Sequence, residues 1–479
     1  MEYCAMPHNQ YPSNSVGETL DDSRFRLIHN ATLAILEKRG IRVECPELVK
    51  LATRRGIKSD GNILFFNEDQ VENAICLAPS QFTLLARNPR YHTPFDLDSV
   101  FFGTGRSAPF VMSTKGVRRQ ATCQDYVETM KLGQMLDPIR LMGALVYPGD
   151  IPVHRLYEFM MAAQILYSDK PYIVSCIDDL KLLCRAFDVT PEVLRKPTND
   201  VFAQATINTL SPLALAGDQG KLLMGMARHN IAICISPCPS SGMTGPCSLM
   251  GNVVLNNCEI LSALVLVQLL QPGLPIFYGA FPCGTDMRSM CVTLGGPESR
   301  IMADLAAGVA KRYGLLTRGN VGMNDSQECD FHAGAESMFN FVCDTRNRIN
   351  FLPGCGILAG FASASREKLI MDAELAEYVQ AYTAFKERKA EALDDVVELL
   401  ITLGPHDSFM TQPHTMAGFR TELFHPRLFP RTSYDKWATR EKSLVQRTSD
   451  RANEMLAAYE MPSIDSDLKE ELEQIVLNS

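Results

Sequence analysis

The chain is 479 residues long, 46% hydrophobic and 21% charged, with a formal net charge of −9. That balance describes a globular chain rather than a disordered one, and the length suits two or three domains or one large α/β barrel with extensions. No Lys/Arg run tracks phosphates, which argues against nucleic acid as a partner.

The first residues, MEYCAMPHNQYPSN, carry no basic patch followed by an apolar run, so no signal peptide is expected and the cytoplasm is the expected compartment. A helical pattern comes next in RLIHNATLAILEKRGI, with Gly40 placed to end it. PELVKLATRRGIK repeats the device with Gly56 as the stop. A short strand, NILFF, leads to the helix NEDQVENAICLAP, where Asn67 and Gln70 hold capping-box positions. Residues 1–95 are read as a small α+β cap packed on the larger domain C-terminal to it.

From 96 to 400, short apolar runs alternate with helical stretches. The runs are SVFFGTG, IRLMGALVYPG, PYIVSCI, VFAQATINTLSP, IAICISPCP, LPIFYGAFP, LLTRGNVGMN and RINFLPGCGIL. Alternating β and α segments predict a parallel sheet covered by helices. Eight runs are the number a (β/α)8 TIM barrel needs. An open doubly wound sheet is the competitor, weakened because no G-x-G-x-x-G opens a helix early in the chain. VVLNNCEILSALVLVQLL carries Asn256, Asn257 and Glu259 and reads as a core helix, since a membrane span needs about 20 residues with few or no charges. No membrane association is expected.

Residues 401–479 differ again. DSFMTQPHTMAGFRTELFHPRLFPRTSYDKW has little periodicity and reads as an extended wrapping segment, before two closing helices in SLVQRTSDRANEMLAAYE and SDLKEELEQIVLNS. The 15 cysteines are scattered and form no C-x-x-C, so they read as small buried hydrophobes. No resident metal is expected. The alternative is a zinc site using Cys234, Cys238 or Cys283.

In a barrel, chemistry gathers where strands end. The residues there are Phe102, Gly103, Thr104, Tyr147, Asn208, Ser236, Tyr278, Phe281 and Asn324–Asp325–Ser326. They supply rings, hydroxyls, amides and a carboxylate, with no Ser or Cys beside a His base. The stretch NDSQECDFHAGAE adds Asp325, Glu328, Asp330, Phe331, His332 and Glu336 with no Lys or Arg among them. Aromatic faces with unpaired carboxylates suit a quaternary ammonium, which donates no hydrogen bond. The plainer readings stand beside this one: Asp325 as a helix cap, Glu336 as a first-turn residue, Tyr278 and Phe281 as core.

Four segments carry a family resemblance. FFGTGRSAPFVM, LPIFYGAFPCGTDMRSM, NDSQECDFHAGAES and HTMAGFRTELFHPRLFPRTSYDKW occur in the order, and with the key residues, of the trimethylamine and quaternary-amine corrinoid methyltransferase family. The resemblance implies a (β/α)8 barrel that moves a methyl group from a methylated amine to the Co(I) of a separate corrinoid (cobalamin) protein. No cofactor is then bound permanently. Trimethylamine-demethylating members carry a pyrrolysine. This chain has only the twenty standard residues, which points to the branch acting on glycine betaine, proline betaine, carnitine or butyrobetaine. Gln327 stands where the family commonly has Lys, and Phe331–His332 where it has a small residue and Gln.

On that resemblance, Asp325 and His332 are the candidate catalytic residues. Phe102, Gly103, Thr104, Tyr147, Tyr278, Phe281, Asn324, Asp330 and Phe331 are the candidate amine-binding set. His414 and Phe419 are the residues expected to face the corrinoid partner. A homo-oligomer is also expected. The rival readings are a zinc-dependent corrinoid methyltransferase on a similar barrel and a non-catalytic betaine-binding barrel.

Overall fold

The eight apolar runs form eight parallel strands, each followed by a helix. They are β1 (Phe101–Thr104), β2 (Ile139–Leu141), β3 (Tyr172–Val174), β4 (Ala203–Ile207), β5 (Ala232–Ile235), β6 (Ile276–Gly279), β7 (Leu316–Arg318) and β8 (Phe351–Cys355). The helices after them are α1 (Cys123–Met135), α2 (Val153–Tyr167), α3 (Asp179–Phe187), α4 (Gly217–Arg228), α5 (Leu249–Leu270), α6 (Pro297–Arg312), α7 (Phe331–Arg346) and α8 (Arg366–Lys386). The structure, a computed structural model, describes residues 20–388, 393–439 and 442–477.

The strands pair in chain order, β8 pairs with β1, and a bridge between Met142 and Tyr172 joins β2 to β3. The sheet is therefore a closed (β/α)8 barrel. Residue alternation sorts each strand into two faces. Ala203, Ala205, Ile207, Ile233, Ile235 and Tyr278 point outward into the layer beneath the helices. Leu141, Ile173, Ala232, Cys234, Phe277, Leu316 and Phe351 point inward and form a separate inner core. Gly103 is glycine because a Cβ there would lie 2.9 Å from the Phe351 ring and 3.0 Å from the Leu141 carbonyl oxygen.

The N-terminal residues do more than cover the barrel. The hairpin Phe82–Leu84/Thr93–Phe95, extended by Asp200–Val201, drives Phe82, Leu84, Phe95 and Val201 into the inner core from the strands' N-terminal end. Phe95 stands edge-on to Phe277 at 4.8 Å. Each ring so buried contributes about 1.5–3 kcal/mol. The first helix, Asp22–Lys38, stops before Gly40, which has φ +66°. Asn67 and Gln70 form the expected capping box, with N···O distances of 3.0 and 3.1 Å.

α5 is long and apolar enough to cross a membrane, but most of it is buried in the barrel wall. Its Glu259 is enclosed and accepts hydrogen bonds from Thr209 Oγ1 at 2.5 Å, Ser211 Oγ at 2.9 Å and Leu213 N–H at 2.9 Å. That loop leads into Ala214–Leu215, which pairs with Ile41–Val43 of the cap. Lys170, also buried, donates from Nζ to the carbonyls of Gly133, Leu136 and Ile139 at 2.8, 2.9 and 2.6 Å. It thereby adds a charged donor where α1 ends, to carbonyls of which Gly133 and Leu136 also accept the N–H groups of Leu136 and Ile139.

The C-terminal segment is more helical than its weak periodicity suggested. Pro413 starts a helix over Pro413–Glu422, and Leu444–Ala457 and Ser466–Leu477 pack on the outside of the barrel, the former against α8 and α1, the latter against α2.

Candidate active site

The loops after β1, β6 and β8 grow short hairpins that rim the C-terminal face. These are Phe110–Met112/Arg118–Gln120, Gly284–Asp286/Cys291–Thr293 and Ile357–Leu358/Ser363–Ala364. Below the rim, one turn of side chains above the apolar inner core, lies a polar layer. Ser175, Thr206, Ser236, Arg318 and Asn320 come from the inward faces of β3, β4, β5 and β7, and Arg106 follows β1.

Arg106 donates to Thr206 Oγ1 at 2.9 Å and Ser175 Oγ at 3.1 Å. Its stem crosses β2 at Gly143, where a Cβ would come within 2.8 Å of Arg106 Cγ. Arg318 donates to Ser236 Oγ at 3.3 Å and lies 4.9 Å from the Phe281 ring centroid. Burial pulls the Arg318 guanidinium below the ordinary arginine range. Among the described residues, Arg106 Nε, Gln204 Oε1 and Asn320 Oδ1 are buried without a hydrogen-bond partner. A buried arginine is rare unless paired. A lone Arg inside the apolar run LLTRGNVGMN, and another directly after GTG, were the signals available in the sequence for two residues that strand-end reasoning passed over.

Phe281 is buried at the mouth, and its ring meets Phe361 edge-on at 5.5 Å. Phe361 holds φ at +74°, a strained conformation for a bulky residue. The acidic stretch holds its turn in place. Ala359 N–H donates to the Ser326 carbonyl at 2.8 Å and Gly360 N–H to the Asn324 carbonyl at 3.0 Å.

Three carboxylates of that stretch, Asp325, Asp330 and Glu336, are committed within the protein, and Glu328 is exposed. Asp325 accepts from Leu294 N–H at 2.8 Å and Gly295 N–H at 3.3 Å, and burial raises its carboxyl above the usual range. Asp325 N–H donates to Glu336 at 2.8 Å, and the other Glu336 oxygen lies 2.8 Å from His332 Nε2. This contact with Glu336 raises the His332 pKa, although the imidazole is 51% exposed. Asp330 caps α7, accepting from Ala333 N–H at 2.9 Å and Ser326 Oγ at 2.7 Å. Asn324 donates to the carbonyls of Gly322 and Ile357.

Several expected pocket residues lie elsewhere. Phe102 and Tyr278 occupy the outward faces of their strands: Phe102 packs on Phe341 of α7 at 5.5 Å, and the Tyr278 hydroxyl donates to Asn257 at 3.1 Å. Thr104 turns to Gly143, accepting from its N–H at 2.7 Å. Gly103 lies inside the barrel but below the polar layer, against Phe351. Tyr147 is half-buried on the β2–α2 loop, and Phe331 is 90% exposed on the rim. His414 and Phe419 lie on the helix Pro413–Glu422. Their helix is tied through Glu422 to Arg388, just beyond the C-terminus of α8, at 2.7 Å. Since α8 begins at the mouth, that puts Glu422, at the end of their helix, toward the opposite end of the barrel. Of the thiols considered for zinc, Cys238 and Cys283 approach to 3.5 Å, but Cys234 joins no shared ligand cluster among the described residues.

The fold is that of a barrel methyltransferase. The crystal structure of the Methanosarcina barkeri monomethylamine methyltransferase superposes with a TM-score of 0.51 at 12% identity, covering 92% of this chain and 88% of that one. The family profile described as trimethylamine methyltransferase (MTTB) matches residues 5–478, and the chain belongs to that family. Its relatives include a glycine betaine methyltransferase of Desulfitobacterium hafniense, 32% identical over 95% of this chain and 96% of its own length. A proline betaine:corrinoid methyltransferase of Eubacterium limosum is 25% identical over 91% and 93%.

Proposed function

We propose that this chain transfers a methyl group from a betaine-type quaternary amine to the cobalt of a corrinoid carried by a separate protein. The observation that carries the reading is the full-length likeness to the glycine betaine methyltransferase of Desulfitobacterium hafniense. The barrel mouth agrees with it, offering two aromatic rings, hydroxyls and guanidinium groups.

The reduced cobalt of the partner supplies the nucleophile. The carbon–nitrogen bond breaks with its electron pair left on nitrogen, so a neutral tertiary amine departs and no general acid is needed. This chain's work is then positioning. The Phe281–Phe361 pair holds the ammonium without fixing its charge too firmly. A bare carboxylate would stabilise the cation more than the transition state, in which that charge fades. The commitment of Asp325, Asp330 and Glu336 to hydrogen bonds within the protein suits this requirement.

A partner needs a landing surface. Val117, Met243, Met287, Met290, Val292 and Phe331, all on loops or helix starts of the C-terminal face, are exposed apolar side chains. Such a patch marks an interaction site. The test is a methyl-transfer assay with reduced corrinoid protein and a panel of quaternary amines. Formation of methylcorrinoid from at least one betaine is expected, and no transfer from any of them defeats the reading.

A further inference from the structure

We propose that Arg106 and Arg318 form a carboxylate clamp at the floor of the mouth, so that the substrate is a zwitterion held carboxylate inward and N-methyl outward. The proposal rests on the reaction proposed above.

Two guanidinium groups share one polar layer. Their hydrogen-bond partners within the protein are hydroxyls: Thr206 and Ser175 for Arg106, Ser236 for Arg318. Among the described residues no carboxylate lies within ion-pair distance of either. Asp344, whose charge does reach Arg318, is engaged by Arg300 at 2.7 Å. Arg106 Nε is buried and unpartnered. Arg318 is buried and Arg106 part-buried, and enclosing cations in one layer without an anion is costly, whereas arginine's fork of donors matches a carboxylate in shape and charge. Gly143 leaves the space through which the Arg106 stem crosses the strand.

Direction comes from the layers. Beneath the arginines the barrel is plugged by an apolar core, where the Gln204 amide N–H groups are spent on Ala205 and Thr206, so an anion finds free donors at the arginines' level. Phe281 and Phe361 sit on the loops beyond β6 and β8, farther toward solvent. An amine bearing a carboxylate a few bonds from nitrogen spans the two levels. Its methyl groups then face the rim where the partner lands. Choline and trimethylamine leave both guanidinium groups unpaired and are disfavoured for that reason.

Calorimetry with the full-length protein tests the clamp. Glycine betaine should bind at least roughly a hundredfold more tightly than choline, because a site built around a polar group rejects the analogue lacking it. The isostere with carbon in place of nitrogen, 3,3-dimethylbutanoate, should compete with betaine, and 3,3-dimethylbutanol should not. In Arg318→Gln and Arg106→Gln the betaine-over-choline ratio should fall by roughly tenfold or more, with Arg318→Lys between them and wild type. Equal wild-type affinity for betaine and choline overturns the proposal, as does an unchanged ratio in a folded glutamine variant. The wild-type comparisons decide the matter if a variant fails to fold. Carboxylate-selective binding with no methyl transfer would sink the reaction and leave the clamp. Equal transfer from betaine and choline would sink the clamp and leave the reaction.

Discussion

Arg318 lies 4.9 Å from the centroid of the Phe281 ring, and the edge of that pair is closed by Phe361 at 5.5 Å. One ring thus already serves a cation of the protein itself, and the second is held beside it by a strained turn. The arrangement ties together residues from the loop after β6, from β7 and from the β8–α8 loop.

Phe361→Leu should weaken betaine binding by roughly 2- to 30-fold, the range corresponding to one cation–π contact of ~0.5–2 kcal/mol. Leucine keeps the bulk and the backbone strain, so thermal stability should change little. Titration calorimetry and a melting curve together check this. Unaltered affinity would remove the ring from the site.

Asp325→Ala should lower unfolding stability by about 1–3 kcal/mol, the cost of stranding the Leu294 and Gly295 N–H groups. Asp325→Asn retains one acceptor and should lose less. Urea unfolding distinguishes this anchoring role from a chemical one. A variant of wild-type stability that has nonetheless lost methyl transfer would make Asp325 catalytic.

Glu259 gives a pH signature. Burial raises its carboxyl above the ordinary value, so the folded state holds the proton more readily than the unfolded chain does. Its contribution is full below the unfolded value of about 4.3 and is lost as pH climbs through the raised folded value. Glu259→Gln cannot ionise and can still bond Thr209, Ser211 and Leu213. It should unfold at higher urea than wild type at pH 8, with the difference closing toward pH 4. The opposite trend would show that the ionised carboxylate is the form the loop prefers.

Lys170→Met should cost about 1–3 kcal/mol, because the carbonyls of Gly133, Leu136 and Ile139 lose a charged donor together while Gly133 and Leu136 keep the N–H groups of Leu136 and Ile139. Hydrogen exchange should rise first at the end of α1 and the start of β2. Uniform protection in the variant would mean that other groups satisfy these carbonyls.

The barrel was legible because parallel strands are buried on both faces and read as near-continuous apolar runs. All eight runs contain a barrel strand, and the capping box at Asn67 was plain from two residues. The site was less legible for the same reason. An apolar run does not say which of its alternate residues face the interior. Tyr278 and Phe281 looked equivalent in LPIFYGAFP, yet one supports α5 and the other stands at the mouth. Asp325, Asp330 and Glu336 looked unpaired because their partners are mostly backbone N–H groups, which sequence does not display. The aromatic, proline-rich stretch around His414 gave no hint of which end of α8 it joins.

The phenylalanine stopper at the N-terminal end of the strands has a kinetic corollary. A site closed from below by that plug imposes an order of traffic. Amine must enter before the corrinoid protein covers the opening, and the demethylated product must wait until that protein leaves. Turnover would then track the lifetime of the two-protein encounter, so a partner that holds on too tightly would slow the cycle it makes possible.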